Sequence, residues 1–234
     1  MNNFKFLSPE AKGKRLKGDI GMGYQMTHKV VISEAFDPVI FNLPVVTTNI
    51  NQINVSNALS TPLNLGLLER MDFFTMDGKY GFKYQVLGKP EFAKASGYKG
   101  SIALSYGHDH PEKTSINYST SSSVRTYSTD LKVTSFEVSL LVGKRISTQH
   151  LFYTNIYYDA YNYEGELSST QFAAIKVKGK STNKGLLLGY ELSQAGEESV
   201  GAKVKLEGGL SQGKLDNYDT KISGIFGGVI GIYW

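Results

Sequence analysis

Much of the chain alternates between large apolar side chains and small or polar ones. Within residues 224–234, Phe226, Ile230 and Ile232 share one parity with Trp234, and the positions between them are mostly small. A period of two residues places these two sets on opposite faces of a β-strand. The pattern therefore predicts strands with one bulky apolar face and one crowded face, as in the wall of a barrel.

The same alternation predicts ten strands. They lie at residues 18–27, 52–67, a short return that ends at 76–79, 80–86, 98–106, 135–142, 151–163, 186–192, 202–210 and 224–234. An even number allows both termini to lie at one end, and eight or twelve strands remain alternatives. We therefore predict an all-β, antiparallel, up-and-down transmembrane β-barrel over residues 18–234, preceded by a basic N-terminal extension at residues 1–17.

The connections sort into two sets that alternate along the chain. Short ones are predicted at 68–70, 89–97, 145–149 and 194–199, and mostly longer ones at 29–49, 108–127 and 163–183. The tight Asp77-Gly78 hairpin turn is an exception in the long set. The polar residues 108–128 form either an exposed loop or the wet extensions of two strands.

The apolar parity predicts an exterior that faces lipid. An apolar exterior around a small and polar interior is the reverse of a soluble ligand-binding barrel, so a soluble lipocalin-like barrel is the alternative fold. The Tyr-rich stretch 151–163 is predicted as a strand without assigned faces. Predicted outward residues are Ile53, Val55, Leu59, Leu63, Leu65, Leu104, Val138, Leu140, Leu188, Val204, Leu206 and Ile230.

Composition is consistent with a spanning barrel and excludes other classes. The 234 residues include 25 Gly, 15 Tyr and 12 Phe, types that favour sheets with crowded faces. No run approaches the roughly 20 apolar residues of a spanning helix, whereas alternation keeps the mean hydropathy of a spanning strand low. The absence of cysteine excludes disulfides, thiolate nucleophiles and Cys-ligated zinc.

Positive charge is concentrated at the N-terminus. The net charge is +4, and residues 1–17 contain Lys5, Lys12, Lys14, Arg15 and Lys17. We expect this segment to be solvated and poorly ordered, on the periplasmic side at the inner rim of the barrel. It contains no apolar core of a signal peptide, so export implies a native signal peptide that is absent from this chain. The basic patch lacks interleaved aromatics, and we expect no nucleic-acid partner.

Charged positions of the inward parity predict a lumen filled by ion pairs. Charges inside a narrow barrel must be paired or wet, and a ring of one sign would instead indicate ion selection. Ten strands enclose only slightly more space than the eight that side chains fill, so we expect no wide pore. The predicted lumen charge network comprises Asp19, Lys83, Lys99, Glu137, Glu191, Lys203, Lys205 and Glu207.

One polar cluster is a candidate for chemistry. His108 and His110 point the same way on an extended chain and could ligate a metal, or one histidine paired with Asp109 could act as a base. We favour a solvated loop that uses the turn chemistry of Asp109-His110-Pro111. No Gly-x-Ser-x-Gly or comparable nucleophile arrangement appears. We therefore expect no catalytic residue, no metal and no cofactor.

The C-terminal strand resembles the assembly signal of bacterial outer-membrane β-barrel proteins. That signal is an alternating apolar strand ending in an aromatic, carried here by Phe226, Ile230, Ile232 and Trp234. "GLLERMDFF", residues 66–74, is similar to the inner-side strand, turn and strand of small members. The resemblance covers roughly residues 18–234. It implies an outer-membrane location and recognition of Trp234 by the barrel-assembly machinery.

Two functions remain open from the sequence. The first is a structural or interaction barrel: an anchor, an adhesin or a component of an envelope complex. The second is a narrow channel for small solutes, and an outer-membrane hydrolase is a distant third. Expected partners are membrane lipid and lipopolysaccharide, the assembly machinery during biogenesis, and envelope proteins.

Overall fold

The computed structural model describes residues 6–32, 51–76, 78–109, 114–120, 123–169, 172–194, 200–215, 218–219 and 222–234. A short 3-10 helix covers Glu91–Ala93. No helix in the described part of the chain is long and apolar enough to cross a membrane. The strands are β1 (Gly18–Ile32), β2 (Asn51–Ser60), β3 (Leu63–Leu68), β4 (Met71–Met76), β5 (Lys79–Leu87), β6 (Gly97–Asp109), β7 (Thr114–Thr120), β8 (Ser123–Arg145), β9 (His150–Ser169), β10 (Phe172–Ser193), β11 (Gly201–Leu215), β12 (Tyr218–Asp219) and β13 (Ser223–Tyr233).

Antiparallel pairing closes the sheet into a barrel of ten strand positions. β1 pairs with β3 on one side and β13 on the other, and β10 pairs with both β9 and β11. β2 and β3 share the second position because both pair with β1. Among the described residues, β7 pairs with the far part of β8 alone, and β12 with the end of β11 alone. The predicted ten-stranded antiparallel barrel is confirmed.

The two ends of the barrel differ. At the terminal end, β1 starts and β13 stops, and the connections at 69–70, 88–96 and 146–149 are short. At the opposite end, β8, β9 and β10 reach 23, 20 and 22 residues, about twice the roughly 9 to 11 that span a bilayer.

The prediction of a long connection at 163–183 was wrong, because β9 continues to Ser169 and β10 begins at Phe172. The outward residues of these strand ends are charged, so the pattern of apolar outward residues stops there, although Ile175 and Val177 alternate with Lys176 and Lys178. Opposite charges such as Glu164 and Lys178 face each other across the ladder. For residues 108–128, the strand-extension alternative is confirmed over the described positions.

The alternation sorts the side chains as predicted. Ile230 is 71% exposed on the outer face and Val229, its neighbour, is 6% exposed inside. Leu104, Val138, Leu140, Leu188 and Leu206 are exposed, and Leu63, Leu65 and Val204 are half-exposed. In β9, the structure assigns Leu151, Tyr153, Asn155, Tyr157, Asp159 and Tyr161 to the interior. Ile53, Val55 and Leu59 lie outside the described side chains.

Candidate functional site

Residues 6–12, here called the lumen segment, run inside the barrel. Phe6 is 2% exposed and Glu10 is fully buried. The segment contacts inward side chains of β4, β5, β6, β8 and β11, and only a chain within the lumen can touch walls on so many sides. The expectation of a solvated terminus was therefore wrong for these residues. β1 itself begins at Gly18.

Wall side chains satisfy the backbone of the lumen segment. A buried segment outside any β-ladder needs such partners for its polar groups. Three N–H groups donate to wall side chains: Phe6 to Glu207 (3.2 Å), Ala11 to Gln85 (2.8 Å) and Lys12 to Asp72 (2.9 Å). Three carbonyls accept from wall side chains: Phe6 from Lys205 (3.0 Å), Pro9 from Ser101 (2.6 Å) and Glu10 from Lys83 (2.5 Å).

Glu10 forms the centre of the first charge cluster. The Arg145 guanidinium donates through Nε to both carboxylate oxygens, at 2.9 and 3.0 Å, and through Nη2 at 2.5 Å. The Lys99 ammonium lies 2.8 Å from the same carboxylate. Forked arginine–carboxylate pairs of this kind are among the stronger and more directional charged hydrogen bonds. This cluster fixes the middle of the segment to β6 and β8.

Lys12 forms the centre of a second cluster at the terminal end. Its ammonium pairs with Asp19 and with Glu91, the latter at 2.8 Å. Lys203 pairs with the same two carboxylates, at 3.0 and 2.5 Å. Two cations and two anions therefore alternate around one point.

The surroundings shift the pKa values of these groups in opposite directions. Burial disfavours the charged form of Lys12, but the carboxylates of Asp19 and Glu91 outweigh it and raise the pKa of Lys12. Burial also opposes the charge of Glu91, yet the ammonium groups of Lys12 and Lys203 hold its pKa well below the usual range. Both groups therefore keep their charge inside the barrel.

Glu191 connects the two clusters. Its carboxylate lies 3.2 Å from Arg145 and 3.7 Å from both Lys203 and Lys205. Lys205 also approaches Asp19 at 3.9 Å. We call the whole set the plug network: Glu10, Lys12, Asp19, Glu91, Lys99, Arg145, Glu191, Lys203 and Lys205.

An apolar layer lies deeper in the lumen. Phe6 and Leu7 insert here, and burying two large apolar side chains contributes about 1.5 to 3 kcal/mol each. This burial explains why a basic N-terminal segment enters the barrel. Phe6 packs in one cluster with Met76, Tyr157, Leu187, Ile225 and Val229, and Leu7 in another with Phe74, Ala103 and Leu141.

A separate group of charges lies beyond the apolar layer, toward the opposite end. Lys79 lies 3.2 Å from Glu137 and 3.8 Å from Asp159. The Tyr161 hydroxyl donates to Asp159 at 3.0 Å. We call these four residues the wall cluster, because they come from the barrel strands β5, β8 and β9.

All eight residues of the predicted lumen charge network are buried, and the structure groups them unevenly. Asp19, Glu191, Lys203 and Lys205 contact one another. The other four contact residues that the pattern did not single out: Lys83 pairs with Asp72, Lys99 with Glu10, Glu137 with Lys79, and Glu207 accepts from Phe6 N–H and the Tyr153 hydroxyl.

The sequence reasoning missed Asp72, Lys79, Arg145 and Asp159 on the strands. Each has the inward parity of its strand. Lys79 and Arg145 lie just beyond the ends of predicted strands, Asp72 lies in the short return, and Asp159 lies in the Tyr-rich strand whose faces were not assigned. Glu10, Lys12 and Glu91 follow no alternation, and only the apolar pair Phe6-Leu7 within a basic segment hints at burial.

The histidine candidate is not assembled in the described part of the chain. His108 is exposed, and it and Asp109 belong to β6 rather than to a loop. His110 and the side chain of Asp109 lie outside the described residues. Among the described residues, no group of three metal-ligating side chains occurs.

The residues of the predicted assembly signal lie on the outer face. Phe226, Ile230 and Ile232 are exposed. Trp234 exchanges two backbone hydrogen bonds with Gly18, and its indole N–H donates to the Leu16 carbonyl at 3.1 Å. The terminal tryptophan therefore contacts the chain where the lumen segment leaves the barrel. Its recognition by an assembly machinery stays a prediction.

Comparisons with known proteins find similar solved structures only. No family model matches the chain, and no curated protein matches it. The chain is similar to the attachment invasion locus protein Ail of Yersinia pestis, at 9% identity and a TM-score of 0.33, over 94% of this chain and 98% of that one. It is also similar to Neisserial surface protein A, at 9% identity and a TM-score of 0.36, over 92% and 96%. Similarity this low carries no function from those proteins to this chain.

Proposed function

We propose that this chain is an integral barrel of a bacterial outer membrane whose lumen is closed by its own N-terminal segment. Its role is structural or interactive, as an anchor, an adhesin or a component of an envelope complex, and not catalytic. The observation that carries the proposal is the lumen segment, because residues 6–12 occupy the interior and bind the wall on several sides. A closed interior leaves the outer surfaces to make the contacts.

The exposed apolar belt supports insertion in a membrane. Along β8, the outward residues between Thr134 and Lys144 are all apolar, and they are exposed: Phe136, Val138, Leu140 and Val142. The ten residue steps from Thr134 to Lys144 rise about 26 Å along the axis at a tilt of about 40°. That height equals the apolar band of spanning barrels. A continuous apolar belt of this size is unfavourable in water and is typical of a surface that contacts lipid or another protein.

The wall beyond the belt supports an interaction role. β8, β9 and β10 continue past the apolar band, and their described outward residues there are charged and exposed. Lys132 faces Glu164, which faces Lys178, and Glu166 faces Lys176. This projecting surface is the place where we expect lipopolysaccharide headgroups or envelope proteins to bind.

The cavity beside the lumen segment is too small for a channel. A cavity of about 20 Å³ lies between Phe6, Asn64, Phe74 and Val229, which holds about one water molecule. Among the described residues, the buried amide of Asn64 has no partner, and one water would satisfy it. A continuous path for solutes needs far more room.

Conductance tests the closed lumen directly. Protein refolded in detergent is added to planar bilayers, with boiled protein as the control for contaminants. We expect a membrane without stable openings, and frequent openings of uniform size would replace the closed barrel with the narrow channel. Heat-modifiable migration in SDS gels tests the barrel itself, because a closed ladder resists the detergent until it is boiled. Equal mobility before and after boiling contradicts an integral barrel.

A further inference from the structure

Three cations of the wall surround the position of the Glu10 carboxylate and backbone. They are Lys83 on β5, Lys99 on β6 and Arg145 on β8, three strand positions that are adjacent in the sheet. Each is at most 1% exposed. Arg145 and Lys99 hold the carboxylate, and Lys83 donates to the Glu10 carbonyl.

The wall itself orients these cations, independently of the lumen segment. Arg145 donates to the Thr148 carbonyl at 3.0 Å and to Glu191 at 3.2 Å. Lys99 donates to the Lys89 carbonyl at 2.6 Å. Lys83 pairs with Asp72 at 3.0 Å. Because each side chain has a second partner on the wall, the donors keep their directions when Glu10 is absent, and the site is preorganised.

The charges at the site are balanced only when a carboxylate is present. Asp72 pairs with Lys83, and Glu191 pairs with Arg145 while also lying near Lys203 and Lys205. Among the described residues, the only carboxylate in contact with Lys99 is that of Glu10. A buried ammonium without an anion is strongly disfavoured, so the empty site requires one negative charge.

We propose that Lys99 and Arg145, supported by Lys83, form a carboxylate-binding site in the lumen, and that Glu10 is its intramolecular ligand. The ligand class follows from the forked guanidinium, which matches the two oxygens of a carboxylate, and from the short aliphatic stem that connects Glu10 to the chain. The site would bind a small aliphatic carboxylate when Glu10 is removed. This inference rests on the seated lumen segment of the proposed function.

Chemical rescue in the full-length chain tests the site. Because the chain has no cysteine, Ser8→Cys introduces a single thiol at a position that is 1% exposed. Maleimide labelling of refolded protein then measures how often the segment leaves its seat. We expect Ser8→Cys alone to label slowly, Glu10→Ala in that background to label at least tenfold faster, and acetate to restore at least half of the protection. Chloride at equal ionic strength is expected to have no effect.

Two matched variants complete the test. Glu10→Gln fills the same volume without charge, so its labelling is faster than that of the parent and does not respond to acetate. Glu10→Asp retains the charge with a shorter stem, so it labels at an intermediate rate and keeps the comparison usable if the alanine variant does not refold. Acetate that fails to protect Glu10→Ala, or an aspartate variant that labels faster than the glutamine variant, overturns the carboxylate site. Fast labelling of Ser8→Cys itself instead overturns the closed lumen.

Discussion

The plug network and the wall cluster fill the same lumen in different ways. The wall cluster joins Lys79, Glu137 and Asp159, which the β-ladders of β5, β8 and β9 already hold in place. The plug network depends on Glu10 and Lys12, from a segment outside every ladder. The first cluster therefore forms with the barrel, whereas the second is completed only when the N-terminal segment is seated. Closing the sheet and closing the lumen are two separable events.

Buried ion pairs give the plug network specificity more than stability. Removing two charges from water costs free energy that their attraction offsets only with good geometry and further hydrogen bonds. Arg145 meets that condition, because it contacts Glu10, Glu191 and the Thr148 carbonyl. The seated placement of the segment satisfies all of these donors. The apolar contacts of Phe6 and Leu7 then provide the driving force for insertion.

The largest expected effect comes from removing one cation from the plug network and comparing it with the removal of one cation from the wall cluster. Arg145→Met leaves the carboxylates of Glu10 and Glu191 short of a buried partner, and we expect it to lower the free energy of unfolding by about 3 to 5 kcal/mol. Lys79→Met is the matched change in the wall cluster. Its side chain is 15% exposed, so water replaces part of the lost interaction, and we expect about 1 to 2 kcal/mol. Urea unfolding in detergent measures both, and an equal or reversed ranking contradicts the comparison.

Two glycines allow a second comparison, with a smaller expected effect on stability: Gly66, which contacts the chain beside the lumen segment, and Gly224, which has open space around it. The Gly66 carbonyl accepts from Leu16 N–H at 2.8 Å, and its N–H donates to Lys17 at 2.7 Å. A Cβ at Gly66 would lie 2.3 Å from the Lys14 carbonyl oxygen, whereas a Cβ at Gly224 meets nothing within 4 Å.

We therefore expect Gly66→Ala to destabilise by about 1 to 3 kcal/mol through overpacking. In the Ser8→Cys background, Gly66→Ala should make the introduced thiol react faster with maleimide, because the clash displaces residues 14–17, where the chain leaves the lumen. Gly224→Ala should change neither quantity. Similar labelling rates for the two alanine variants would show that the contacts of residues 14–17 do not hold the lumen segment in place.

Acid should release the plug network in a defined direction. Burial opposes the charge of Glu91, but Lys12 of the segment and Lys203 of the wall hold its pKa well below the usual range. We expect loss of Lys12 to raise this pKa, so that the unseated state binds more protons at low pH. The contribution of Glu91 is therefore complete above the ordinary glutamate range, near about 4.3, and is lost as the pH falls through its lower folded value. The raised pKa of Lys12 has the opposite sign, and its contribution is lost only as the pH rises through that value.

The single tryptophan can report this transition without a label. Its indole bonds to Leu16, next to the segment, so displacement of the segment changes its emission. We expect a stable signal from neutral pH down to below the glutamate range, then an acid transition that Glu91→Gln makes smaller. An acid transition of unchanged size in the glutamine variant would remove Glu91 from the explanation.

The sequence predicted the barrel well because a wall with two different faces imposes a period of two residues. Leu140 and its neighbour Ser139 differ in face for that reason alone, and the strand count follows from such runs. The end of β9 and the start of β10 were missed, because their outward residues, such as Glu164 and Lys178, are charged rather than apolar. Apolar outward residues mark the part of the wall that faces lipid. Beyond that band this pattern ends, although the strands continue.

The candidate site was only half predictable for a related reason. Asp19 and Lys203 share the inward parity, so their burial could be inferred from the sequence, but parity does not say which charges meet. Glu10 lies in a segment without any period, and its contact with Arg145 is 135 residues away along the chain. Its position depends on the complete lumen, which no local pattern encodes. The basic composition of residues 1–17 instead predicted a segment exposed to solvent.

The smallest expected effect on stability concerns Trp234. Its indole hydrogen bond to Leu16 closes the rim where the lumen segment emerges, so we expect Trp234→Ala to cost about 1 kcal/mol and to raise Ser8→Cys labelling slightly. If the residue also serves assembly, its loss exposes an unclosed sheet edge during insertion, and surface levels in cells should fall much more than the refolding yield in detergent. Trp234→Phe is the matched control, because it keeps a terminal aromatic without the N–H donor: it should label like the alanine variant but reach the surface like the wild type. Surface levels that follow refolding yield in both variants would limit Trp234 to the rim contact.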